Sequence, residues 1–309
     1  MNRTLLAHAA AATAALSAGA SVVATRLAVG EVDPASLAFF RYLIGIAGFL
    51  AILPLIRPKQ PVPASDLAAI ALLGVLFFGL FPWAFNASLQ YIPASRGAVG
   101  LATIPIQTLI VATLFGRERF TAAKLIGVVL AFAGIALVFG REAFAFSGSD
   151  ALLGDGLMLL GGLCAAFFSI FSRPVMARHG PLFVTAAAMG FAVIALLPLS
   201  LAGDGFGALS KLSDNGWIAL LFLGTFGGSV QFSLFNWALR WLPPTNTVLY
   251  LTLNPLTAML LGVALIGESL SVWLVAGLAF VLLAILVASG IVPLRALSRL
   301  RTRGAPETR

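Results

Sequence analysis

Charge is the scarcest thing in this chain. Of 309 residues only 10% are Asp, Glu, Lys or Arg, while 60% are hydrophobic and the mean hydropathy is +1.04. Soluble domains carry about 25% charged residues, so a water-exposed globule of this size is excluded and the surface must face lipid. Cysteine is nearly absent: Cys164 stands alone in an apolar run, no intrachain disulfide can form, and such a thiol packs as a small hydrophobe. Acids are few, and all eleven fall in loops, tails or the ends of apolar runs. Of the two histidines, His8 lies near the start of the first run and His179 in a loop. Proton relays in membranes use intramembrane carboxylates or histidines, and mid-run positions here offer neither. There is no Cys/His metal spacing, HEXXH helix, phosphate-binding glycine loop or Ser/His/Asp set. No metal, no cofactor and no enzymatic activity are expected; only an intramembrane enzyme built from hydroxyls and amides is left as a remote alternative.

What the chain does have is long apolar runs. A spanning helix needs about 20 such residues. Runs between charged, Pro- and Gly-rich breaks predict ten, at roughly 5–28, 35–56, 66–90, 94–115, 121–140, 152–178, 181–203, 216–241, 244–266 and 270–291. The remaining 292–309 form a basic tail too polar to span. In a soluble protein the net charge of +8 would suggest nucleic acid. In a membrane protein it fits basic loops on the cytoplasmic side, and no nucleic-acid partner is expected. With both termini cytoplasmic, Arg26, Arg96, Arg141 and Lys211 fall outside and Arg41 within the second run, while every other Lys and Arg falls inside. That asymmetry supports ten spans in an inner membrane. The Ala-rich first run after Arg3 resembles a secretory signal. It is read instead as a span, because LSAGASVVATR from Leu16 is answered by LCAAFFSIFSR from Leu163.

That echo is part of a repeat. FNASLQYIPASR from Phe85 returns as FNWALRWLPPTN from Phe235. At the same offset of 150, Pro105 matches Pro255, Glu118 matches Glu268, and Gly127 matches Gly277; at 147, Pro34 matches Pro181. Two units, 1–145 and 150–291, therefore carry five runs each. Five is odd, so the second unit must enter the membrane from the opposite side. The predicted fold is an all-α membrane protein: ten transmembrane helices as two inverted five-helix repeats around a central cavity, the architecture of a secondary transporter.

Pro105 and Pro255 each fall within a run, so each is predicted to bend a span and free a carbonyl, tolerable only beside neighbours or cavity water. Thr103 and Gln107 flank the first, Thr252 and Asn254 the second. The matched pair is read as a hinge; a static kink is the plainer alternative. Trp83 and Asn86 share a helix face, and the matching run carries Gln231, Asn236 and Trp237, amides and rings suited to an amphipathic solute. Ser17 and Ser21 are hydroxyls in the first run. Arg41 lies near one end of its run, where it can snorkel or form a structural pair, or else face the cavity as the cation for a substrate carboxylate. The candidate cavity set is thus Ser17, Ser21, Arg41, Trp83, Asn86, Thr103, Gln107, Gln231, Asn236, Trp237 and Asn254. Glu118 and Glu268 precede Thr121 and Ser271, expected helix caps, and are read as loop clamps.

The duplicated order N-x-x-L-x-[YW]-x-P, internal Pro, Glu-x-[FL]-[TS] and a Gly-bearing last span, with Arg41 in ASLAFFRYLIG, resembles the EamA family of the drug/metabolite transporter superfamily. The resemblance covers nearly the whole chain and is greatest to bacterial exporters of aromatic and broad-range amino acids. It implies export of amino acids or similar small metabolites by alternating access. Related small multidrug exporters rely on a glutamate in the first span; this chain has Thr13, Ser17, Ser21 and Thr25 there. A passive or weakly coupled carrier is therefore expected. A proton-coupled multidrug carrier, another metabolite or nucleotide-sugar carrier and a channel stay open as alternatives. The expected partners are the small-molecule substrate and the lipid bilayer, with the protein as a monomer or homodimer.

Overall fold

In lipid a backbone cannot turn to water, so apolar runs of this length satisfy their amides and carbonyls within helices. The computed structural model describes residues 3–28, 31–58, 61–88, 91–92, 94–145, 151–266 and 272–289. The tail 292–309, Glu268 and the side chain of Asn86 lie outside the described residues. Within them every regular element is helical, with no strand.

The first half contains α1 (Arg3–Ala28), α2 (Pro34–Ala51), α3 (Ala64–Gly74), α4 (Phe81–Ser88), α5 (Ala94–Leu101), α6 (Ile104–Leu114) and α7 (Ala122–Ala145). The second contains α8 (Ala151–His179), α9 (Pro181–Ala202), α10 (Asp214–Gly224), α11 (Gln231–Trp241), α12 (Pro244–Leu249), α13 (Leu253–Ile266) and α14 (Val272–Ala288). Helices α2 and α9 open on matched prolines, placed in a first turn where a missing N–H costs nothing. Asp33 caps α2: its Oδ1 accepts from the amides of Ala35 and Ser36, both at 3.0 Å.

Among the described residues, five helical stretches are long and apolar enough to cross a membrane: Arg3–Thr25, Ala64–Phe85, Ala151–His179, Pro181–Ala202 and Asp214–Trp241. Four shorter apolar helices accompany them, Ala35–Ala51, Val99–Leu114, Ala122–Val138 and Val275–Ala288. The shortfall from ten unbroken runs has a physical source in part. The runs around Pro105 and Pro255 are each divided by a turn, which cuts one long helix into two short ones.

The halves do not pack as separate bodies. Helix α1 lies against α11 and α13 of the second half, and its counterpart α8 lies against α4 and α6 of the first. Each half thus lends its leading helix to the other. The last helices, α7 and α14, meet through glycines. A Cβ on Gly127 would stand 2.8 Å from Ala284 O and 2.6 Å from Ala288 Cβ; one on Gly277 would stand 2.7 Å from Gly134 O and collide with Val138. Every residue in these two contacts has its counterpart 150 positions away, so the interface is self-complementary about a two-fold, and the helices run antiparallel. Small residues are what let helix backbones approach this closely in lipid, where no hydrophobic force drives them together.

Gly277→Val is expected to cost about 1–3 kcal/mol by overpacking, read as an earlier thermal unfolding transition in detergent. Gly156→Ala, where an added Cβ meets nothing within 4 Å, is expected to leave it unchanged.

Candidate functional site

Each half interrupts its helices twice at matched places. The α3–α4 stretch is joined through a π-helical turn, Val75–Leu80, and α10–α11 through another, Thr225–Val230. The turns are 150 residues apart, as are the FN motifs that follow them. A π turn leaves carbonyls without their usual partners and is frequent at functional sites. The second interruption precedes the prolines. Pro105 and Pro255 sit in the first turn of α6 and α13, the first after a turn at 102–103 and the second directly after a 3-10 turn, Tyr250–Thr252. There the absent N–H is one the helix leaves unused. Threonine hydroxyls patch the carbonyls behind both breaks: Thr103 Oγ1 donates to Gly100 O and Thr252 Oγ1 to Leu249 O, each at 2.6 Å.

The breaks converge on a cavity of about 100 Å³. Its wall draws on both halves: Ala14, Phe77, Phe81, Leu101, Ala102, Ile104, Ile135, Ala165, Gln231, Phe232, Phe235, Leu251, Thr252, Asn254 and Pro255. Gln231 and Asn254 are its amides, and Asn254 Oδ1 is buried with no hydrogen-bond partner. Phenylalanine rings supply much of the rest, with Phe77 4.4 Å from Phe168 and 5.7 Å from Phe232 between centroids.

Other expected residues stand elsewhere. Trp83 is 48% exposed on the outer surface. Asn236 is fully buried and donates through Nδ2 to Thr185 Oγ1 at 2.7 Å, a helix-to-helix bond. Trp237 neighbours Trp241, with ring centroids 6.3 Å apart, and packs against an apolar cluster that includes Ala11 of α1, Ala131 of α7 and Ala284 of α14. Gln107 donates to Thr103 Oγ1 at 3.0 Å and packs on Gly162. Ser21 Oγ lies 2.9 Å from Ser17 O and 3.3 Å from Gln231 Oε1, tying α1 to the cavity wall. Arg41 donates from Nη2 to Gly227 O at 2.7 Å, a carbonyl of the second π turn, and Ser229 Oγ of that turn donates to Gly45 O of α2 at 2.8 Å. The phenylalanine wall and the π turns were not anticipated. The FFGLF and TFGGSVQF segments were visible, but aromatics in an apolar run read equally as packing, and no residue type marks a π turn.

A family model described as the EamA-like transporter family matches the chain twice, over residues 5–140 and 152–290. The chain belongs to the EamA-like transporter family. Similar proteins include the uncharacterized transporter YyaM of Bacillus subtilis (strain 168), 25% identical over 276 residues, covering 89% of this chain and 90% of that protein. The uncharacterized inner membrane transporter YedA of Escherichia coli (strain K12) is 29% identical over 262 residues, covering 84% and 83%. A solved crystal structure matches with a TM-score of 0.76 over 94% of this chain and 96% of that one; at 18% identity it shows a shared fold. Family and apolar helices together make this a multi-pass membrane protein of a transporter family.

In this EamA-like chain both ends of the bundle are fastened. Glu31, before α2, accepts from the Ser213 hydroxyl and amide, both at 2.7 Å. Asp33 Oδ2 accepts from the Asp204 amide at 3.0 Å, and Lys211 pairs with Asp204. At the other end of α2, Asp66 accepts from Arg178 Nε and Nη2 at 2.9 and 2.7 Å and contacts His179 Nε2 at 2.6 Å. Glu31 and Arg178 are 147 positions apart, as are Asp66 and Ser213, so one contact is built twice, at opposite ends. Glu118, its side chain 3% exposed, pairs with Lys124 at 2.7 Å and accepts from the Thr245 amide at 3.0 Å, holding the loop before α7 to the start of α12.

Hydrogen bonds from the Ser213 side chain and amide hold the Glu31 carboxyl below its ordinary 4.5. Burial raises Asp33, but hydrogen bonds from Ser36, Asp204 and Ala35 outweigh it and leave the carboxyl below 3.8. A depressed carboxyl stabilises the fold above its unfolded pKa and loses that contribution as pH falls through the folded one. Thermal stability in detergent is expected to fall as pH drops below about 4.5, and the fall is expected to be shallower in Glu31→Gln.

Proposed function

We propose that the protein exports amino acids, aromatic or broad-range, or similar small metabolites, by alternating access between two inverted five-helix halves that make ten crossings with both termini cytoplasmic. The observation that carries this reading is the cavity bounded by both helix breaks at once. A solute held there touches the restart points of α6 and α13, so a movement at either break changes its surroundings. The antiparallel α7–α14 contact and the duplicated end clamps support the inverted arrangement, because a two-fold lying in the membrane plane turns each feature of one face into its match on the other. The cavity of about 100 Å³ is below the roughly 300–1,000 Å³ of occupied ligand pockets. Loading therefore requires helices to part at one face, and the breaks before Pro105 and Pro255 are where they can. The wall of rings with Gln231 and Asn254 suits a solute with an apolar body and one polar end. Described spans hold no mid-membrane carboxylate, in keeping with a passive or weakly coupled carrier.

Counterflow in proteoliposomes across a panel of amino acids tests this. Wild type is expected to exchange an aromatic member with no pH gradient. Pro105→Ala and Pro255→Ala are expected to slow exchange about tenfold each, or about 1.4 kcal/mol of barrier. A panel of which no member moves contradicts the amino-acid assignment, accumulation that requires a pH gradient contradicts weak coupling, and two fully active proline variants contradict the hinge.

A further inference from the structure

We propose that Arg41 is an anion subsite, so that the solute this protein takes carries a carboxylate beside its apolar body. The proposal deepens the transport reading and depends on it for its meaning in the cell. Arg41 is the eighth residue of α2, about 10 Å along the helix from its start. A cation at such depth is costly, and where one is kept it faces a partner or a pathway. The guanidinium has no carboxylate partner among the described residues. Nη2 donates to the neutral Gly227 carbonyl, and Nε is buried with no hydrogen-bond partner.

The fold itself does not require this charge. Gly227 belongs to the Thr225–Val230 π turn, so Arg41 could be read as a device for satisfying a freed carbonyl. The first half contains the same turn, Val75–Leu80, facing α9. Counting from the matched prolines, the residue of α9 equivalent to Arg41 is Ala188, and it packs directly on Gly74 at the head of that turn. One π turn is built beside alanine and the other beside arginine. The duplicated scaffold thus carries the charge on one side only, as expected of a group that serves the solute rather than the turn.

The charge also stands next to the cavity. Gln231 and Phe232, one turn beyond Gly227, form part of its wall. Gly227 leaves room for the contact, since an added Cβ would lie 3.2 Å from Nη2 and collide with Ser21 Oγ. Ser21 in turn reaches Gln231. Arg41 is therefore one side chain behind the wall, and a carboxylate entering past Gln231 would exchange a neutral carbonyl bond for a stronger charge-assisted pair.

Titration calorimetry of the full chain in detergent tests this with indole-3-propionate, its neutral amide and tryptamine. Wild type is expected to bind the acid about tenfold to hundredfold more tightly than the amide, the factor expected of bonds to a charged group, with tryptamine no better than the amide. Arg41→Gln is expected to abolish the preference and Arg41→Lys to retain it. Equal binding of acid and amide, tighter tryptamine, no binding of the acid, or a preference that survives in Arg41→Gln overturns the proposal. If Arg41→Gln does not fold, the wild-type comparison alone decides. Counterflow separates the two readings: a protein that moves solutes without favouring acids keeps the carrier and loses the subsite. One that binds the acid and moves nothing keeps the subsite and loses the carrier.

Discussion

A backbone group freed from its helix inside a bilayer has nowhere to turn but to protein or enclosed water. This constraint shapes the molecule. The chain frees such groups at four places, the π turns Val75–Leu80 and Thr225–Val230 and the breaks ahead of Pro105 and Pro255, and gathers their consequences at its centre. Thr103 and Thr252 return hydroxyls to the carbonyls behind the breaks, while Arg41 and Ser229 join the second π turn to α2. The helix restarts open on a shared cavity.

The same layout relates stability to movement. Close glycine packing joins α7 to α14. The leading helices are exchanged, α1 packing on the second half and α8 on the first. Polar fastenings sit instead at the ends: Glu31 with Ser213, Asp66 with Arg178 and His179, Glu118 with Lys124 and Thr245. Solvent weakens the exposed bonds of Glu31 to Ser213 and of Arg178 to Asp66, so these can break and reform at modest cost, whereas the Glu118 carboxylate is buried.

Much of this was legible in the residues. Scarce charge and long apolar runs point to a membrane, and the recurrence of FN, internal proline, glutamate and glycine at one offset points to a duplicated unit. The family match, falling twice on the chain, agrees with that duplication. Site residues were less legible. Trp83 and Asn236 share the composition of cavity residues, yet one lies on the outer surface and the other bonds Thr185, because helix rotation within a bundle is set by packing that periodicity does not reveal. The short turn ahead of each proline leaves no trace in composition. Helix exchange between the halves was not anticipated: the hydroxyls of α1, Thr13, Ser17, Ser21 and Thr25, name no partner in the other half. Arg41 was noticed, but its alanine counterpart beside the other π turn, on which the proposed solute-facing role rests, became apparent only in the packing.

The central claim is that the two halves point in opposite directions across the bilayer. It is tested most directly with single cysteines at two exposed positions, Ala64, the first residue of α3, and Lys211, three residues before α10, in a Cys164→Ser background. A membrane-impermeant maleimide added to intact cells is predicted to label position 211 at once and position 64 only after permeabilisation. Labelling of both from the same side would contradict the account.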